Sequence, residues 1–131
     1  MNSKSTVYLM SAFVCLFSVP TVAHSQSDWS DVKNPKEIRA LLANNSLTNS
    51  WGTVWSFRAD GKALAVNQSG GHTQHTWEVK GNDQACATPP MAGAGECWRI
   101  QRNRQDQSKL RFVFPNGMGV AMTVKAGVPN F

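Results

Sequence analysis

Residues 51–80, WGTVWSFRADGKALAVNQSGGHTQHTWEVK, carry the alternation from which the architecture follows. Thr53, Trp55 and Phe57 fall on one side of an extended chain, with Val54, Ser56 and Arg58 on the other. That period of two belongs to a half-buried strand and does not fit a helix. Asp60–Gly61 is a tight-turn signal, and Lys62 to Asn67 continues as a second strand with Leu64 and Val66 on one face. Ser69, Gly70 and Gly71 form a looser connection. Gln74 to Lys80 then sets His75, Trp77 and Val79 against Thr76 and Glu78. Three strands in thirty residues, joined by hairpin-length turns, predict antiparallel architecture with one apolar and one wet face.

The same reading extends downstream. Cys97 to Arg102 places Trp98 and Ile100 opposite Arg99 and Gln101, and residues 103–108 form a polar turn. Leu110, Phe112 and Phe114 alternate with Arg111 and Val113 before Pro115 ends the strand. Asn116–Gly117 suits a hairpin turn, and the return strand carries Met118, Val120, Met122 and Val124 on one face. Upstream, residues 26–34 read as a polar lead-in. Asn34, Pro35 and Glu37 mark a helix start as N-cap, first helical residue and N3. Ile38, Leu41 and Leu42 form its apolar stripe, and Asn44–Asn45 stop it. A helix this short is not stable alone, so its stripe must dock. The expected fold is mainly β: a small antiparallel β-barrel or curled sheet of about six strands with one short N-terminal α-helix.

The N-terminus reads as an export signal. Lys4 precedes the apolar run VYLMSAFVCLFSV (7–19), Pro20 breaks it, and small residues lead to Ala23 and Ser25. About 13 apolar residues fall short of the ~20 that a spanning helix needs, which argues for a cleaved leader rather than a stable membrane anchor. Residues 1–25 are the expected signal peptide and 26–131 a single β-rich domain, placed in the periplasm or outside the cell. Cys15 follows Phe13 and Val14 rather than small residues, unlike a lipid-anchored cysteine, and reads as filler of the apolar run. That leaves Cys86 and Cys97, in a compartment where disulfides persist. Ten intervening residues suit a structural staple better than a redox pair.

The order of these pieces resembles a group of small exported bacterial domains of uncharacterised function. The resemblance rests on IRALLANN (38–45), WGTVWSF (51–57), RADGKAL (58–64), HTWEVKGNDQAC (75–86) and ECWRI (96–100). It implies a small periplasmic β-domain without an established catalytic motif. The aromatic and methionine-rich final hairpin lies outside the likeness.

Candidate chemistry is sparse. His72 and His75 lie three apart on a strand and so point to opposite faces; a metal site normally needs three or four ligands, and none is expected here. No Gly-x-Ser-x-Gly elbow or Ser-x-x-Lys arrangement occurs. The acids are scattered, with Asp60 and Asp83 in turns and Glu37 at the helix start. No cofactor and no enzyme activity are expected. Net charge is +5, with 13 Lys and Arg against 8 Asp and Glu. Five of those cations, Arg99, Arg102, Arg104, Lys109 and Arg111, sit within thirteen residues opposed only by Asp106, a candidate face for an anionic partner. Pro89, Pro90 and Met91, between the cysteines, are a candidate projecting loop. Of five tryptophans, Trp55, Trp77 and Trp98 fit inward positions, whereas Trp29 and Trp51 lie near element ends, where surplus aromatic area can mark a binding surface.

The leading expectation is therefore a non-catalytic exported domain that binds a macromolecular, anionic partner, as an inhibitor or accessory factor; nucleic acid is disfavoured by export. The alternatives are a lipocalin-like carrier of a small apolar ligand and, third, a metal-assisted hydrolase. Oligomeric state is not legible.

Overall fold

Eight strands pair in chain order, each antiparallel to the next, and the last returns to the first. The computed structural model describes residues 28–91 and 95–131; the leader expected over 1–25, with Cys15, lies outside them. Among the described residues the elements are β1 (Trp29–Asp31), α1 (Pro35–Leu42), β2 (Asn45–Thr48), β3 (Val54–Phe57), β4 (Lys62–Val66), β5 (His72–Lys80), β6 (Gln84–Met91), β7 (Gly95–Asn103), β8 (Lys109–Val113) and β9 (Gly119–Ala126). Strands β2 to β9 close into a barrel through β2–β9 pairing, Leu47 opposite Val124. The short β1 lies outside this ring, on the edge of β7 beyond the end of β6.

The barrel expectation holds, but the count of about six strands is corrected to eight in the barrel plus one. The added strands are β1, β2 and β6. Each lacks the alternation that betrays a strand: β1 has three residues, β2 is NSLT with Leu47 alone fully buried, and β6 contains Pro89 and Pro90. The predicted lead-in over 26–34 thus contains β1. The side of β4 carrying Leu64 and Val66 faces outward. Ala63 and Ala65 take the inward positions, opposite Phe57 and Trp55.

Inward positions of the barrel make one core in which Phe57, Trp98, Ile100, Leu110, Phe112 and Met122 are essentially inaccessible. Its rings form a continuous column. Phe57 meets Trp77 edge-on at 5.4 Å, Trp98 packs on Phe112 at 5.4 Å, and Trp55 joins Phe112 at 5.5 Å and Phe114 at 6.3 Å. Outward positions carry Glu78 and Lys80 on β5, Arg99 and Gln101 on β7, Lys109 and Arg111 on β8, and Thr123 and Lys125 on β9. Apolar inside and charged outside is the reverse of a barrel built to face lipid. No described helix is long and apolar enough to cross a membrane.

Helix α1 closes one end of the barrel. The Asn34 side chain accepts from the amides of Lys36 and Glu37, as its capping role requires. Ile38 and Leu42 are fully buried, and Arg39 lies 5.4 Å from the Trp77 ring centre. Asn44 adopts φ 62° and turns the chain directly into β2, its amide donating to the Phe57 carbonyl. The C-terminal tail crosses the outside of β2 and β3: Ser46 Oγ donates to the Gly127 carbonyl, and Arg58 binds the Phe131 carbonyl while lying over its ring.

Two local devices hold the wall. Cys86 and Cys97 face each other across β6 and β7 and are disulfide-bonded. Such a bond persists in an oxidising, non-cytoplasmic compartment. Further along, β5 pairs with β6 only as far as Thr76 opposite Thr88. Beyond this point Pro89 and Pro90 have no N–H to give, and His75 bridges the gap with its ring. Nδ1 lies 2.6 Å from the Pro89 carbonyl, which can only accept, so this nitrogen carries the proton. Nε2 is hydrogen-bonded to Thr73 Oγ1 at 2.7 Å.

Replacing both Cys86 and Cys97 by alanine is expected to cost roughly 2–3 kcal/mol for a loop of this size. Thermal unfolding should register that as a fall in Tm of ~10–20 °C. His75→Ala is expected to cost about 1–3 kcal/mol by unsatisfying the buried bridge, measurable by urea denaturation. An unchanged midpoint for His75→Ala would contradict the bridging role.

Candidate functional site

Among the described residues the end of the barrel opposite α1 is open. Three described connections rim it: 49–53 between β2 and β3, 67–71 between β4 and β5, and 114–118 between β8 and β9. Inside this rim is a cavity of about 460 Å³. Its floor is Trp55, the top of the aromatic column, and Phe114, Val120 and Ala65 line its walls. Trp51 and Met118 stand at the lip, 62% and 52% exposed. These are the two large apolar side chains left most open to solvent among the described residues, and both border the same cup.

Local sequence explains why the cup stays open. The aromatic column fills the barrel from the helix upward and ends at Trp55 and Phe114. Above that level β4 and β5 contribute Ala65 and Thr73, a facing pair too small to reach across. The rim is stiffened by asparagine-centred turns. Asn49 Oδ1 accepts from the amides of Trp51 and Thr53, both at 3.0 Å. Asn67 Oδ1 accepts from the Ser69 amide and hydroxyl and from the Gly71 amide at 3.1, 2.8 and 2.8 Å. Gly117 turns the third connection with φ 85°.

The histidines are separated as their spacing predicts. His75 is buried in the wall, and His72 is exposed at the rim. Among the described residues no group of three or more His, Cys, Asp or Glu converges to hold a metal ion.

The five basic residues lie on β7 and β8 and in the turn between them, and several have partners within the chain. Arg102 points toward the closed end and pairs with Glu37 at 2.9 Å. Arg99 lies 3.6 Å from Asp31. Arg111 donates from Nε to Gln101 Oε1 at 2.7 Å, and its guanidinium sits 4.9 Å above the Trp29 ring. Gln101 in turn donates to Asp31. The Arg104 amide donates to the Asp28 carbonyl, and exposed Lys109 begins β8. Strand β1 thus brings Trp29 and Asp31 onto the basic surface. Nearby, the Ser108 hydroxyl and amide hold the Asp106 carboxyl below its usual range. Of the proposed projecting loop, Pro89 and Pro90 are exposed, whereas Met91 turns inward and is 1% exposed. Met91 therefore does not project: the β6 register carries it to the core side, opposite Gly95.

The cup itself was not legible as a site. Trp51 and Met118 hinted at it, as an end-of-element aromatic and a methionine, but two of its three rim segments read only as connections. Asn49 and Gly71 carry no motif, and Asn67 matches only the common Asn-x-Ser pattern. Comparison with known proteins found no matching family model, no matching curated protein and no matching solved structure.

Proposed function

We propose that this protein is an exported, non-catalytic binding domain that takes a small apolar molecule into the cup at the open end of its barrel. The observation that carries this reading is the cup itself: about 460 Å³, floored by Trp55 and flanked by Phe114, Val120, Trp51 and Met118. That volume falls in the range of small-ligand sites, and such sites combine apolar walls with a few polar groups. Trp51 and Met118 expose apolar area that a ligand would cover. Export is supported by the N-terminal leader and by the Cys86–Cys97 bond. Among the described residues His72 is the one titratable side chain lining the cup, with no second acid, base or metal ligand beside it there.

Recognition of a macromolecular anion is the weaker reading. Arg99, Arg102 and Arg111 already have partners within the chain, and binding would have to displace them.

Titration of the oxidised protein with N-phenyl-1-naphthylamine, an uncharged dye that brightens in apolar surroundings, tests the proposal. Saturable binding is expected. Trp51→Ala should weaken it about tenfold, the equivalent of ~1.4 kcal/mol, without lowering Tm, because the side chain is largely exposed. Ala65→Phe should abolish it by filling the cup. Absence of saturable binding, or binding indifferent to both substitutions, would refute the reading.

A further inference from the structure

We infer that the ligand of the cup is an uncharged, flat ring system bearing a hydrogen-bond acceptor on its outward edge, an inference that rests on the cup being the binding site. Three features of the lining lead there. Among the described residues no Asp, Glu, Lys or Arg lines the cavity, so a charged ligand would leave water without meeting a carboxylate, ammonium or guanidinium partner there. The apolar surface is largely aromatic, with Trp55 below, Phe114 beside it and Trp51 at the lip. Rings of this kind prefer to meet another ring offset-stacked or edge-to-face, and a planar ligand continues the column that already runs up the barrel.

The third feature fixes the polar edge. Asn49 and Asn67 both line the cup, and each turns its Oδ1 back onto amides of its own turn. Backbone amides only donate, so the carbonyl oxygens must face them and the Nδ2 groups must face the other way. The rim therefore presents two amide groups whose N–H bonds are donors. Gly71 secures the arrangement for Asn67: a Cβ at this position would lie 2.9 Å from Asn67 Nδ2, so any larger residue would push the amide aside. A ring nitrogen, carbonyl or ether oxygen at the mouth matches these donors; a plain hydrocarbon leaves them to water.

Asn→Asp substitution isolates the donor, because aspartate keeps an oxygen for the turn amides and replaces the N–H bonds by an acceptor. Displacement of N-phenyl-1-naphthylamine at neutral pH would be measured with naphthalene, quinoline and 2-naphthoate, for the native protein, the paired Asn49→Asp/Asn67→Asp variant and Gly71→Ala. In the native protein 2-naphthoate should bind at least tenfold more weakly than naphthalene. The paired substitution Asn49→Asp/Asn67→Asp should weaken quinoline about tenfold and leave naphthalene unchanged. Gly71→Ala should lower quinoline affinity in the same selective sense. Equal losses for quinoline and naphthalene, or no loss for either, would overturn the inferred ligand class while dye binding still stood. Failure of the dye itself to bind the native protein would instead remove the cup as a site.

Discussion

The pairing of Asn45–Thr48 with Thr123–Ala126 joins the first barrel strand to the last, and the interior exists only because this seam closes. Without it the sheet would have two open edges, and its apolar face would lie open to water. Closure depends on the chain reaching β2 at the correct angle directly from the helix. Asn44 provides this with its left-handed backbone, an amide bonded to Phe57 and a carbonyl bonded to Gly127. Asn45 adds a side-chain bond to the last turn of the helix, at the Leu41 carbonyl. The same few residues therefore end the helix, start the barrel and anchor the C-terminal tail.

From that seam the asymmetry of the molecule follows. The helix delivers Ile38 and Leu42 to one end, and the aromatic column rises from Phe57 and Trp77 through Trp98 and Phe112 to Trp55. Among the described residues no such column descends from the other end, where Trp51 and Met118 stand at the lip and the facing wall is Ala65 and Thr73. An eight-stranded barrel has an interior just wide enough for side chains to fill or to hold one small ligand. Here both occur: side chains occupy the lower part and a cup remains above. On the outer surface β1 carries Trp29 and Asp31 onto the arginines of β7 and β8.

Most of the wall was legible in the sequence because period-two alternation survives wherever a strand has one wet face and one buried face. The six strands read in this way, the Asp60–Gly61 and Asn116–Gly117 turns, the Asn34 cap and the Cys86–Cys97 bond are all present. Three strands escaped because their sequences obey other constraints. In β2 the buried Leu47 has polar neighbours. In β6 the alanines at 85 and 87 face Trp98 and Trp77, and two prolines follow, at a position where the ladder to β5 has ended. The cup escaped for a different reason. A site made by omission, where small residues stop filling a barrel, leaves no motif, and a rim asparagine reads as a turn residue because it is one. The run of arginines was legible, but the partners that β1 and Glu37 bring to it were not, because they come from distant parts of the chain.

The five tryptophan indoles sample the molecule from end to end, and their N–H resonances report where a ligand goes. Following them by NMR during titration of the oxidised protein with N-phenyl-1-naphthylamine should move the signals of Trp51 and Trp55, at the lip and floor of the cup. Trp77, whose N–H is bound to the Arg58 carbonyl, and Trp29, beneath Arg111, should stay in place. Movement of Trp29 or Trp77 with Trp51 and Trp55 undisturbed would place binding on the outer face or at the closed end, and would contradict the open-mouthed barrel as the seat of function.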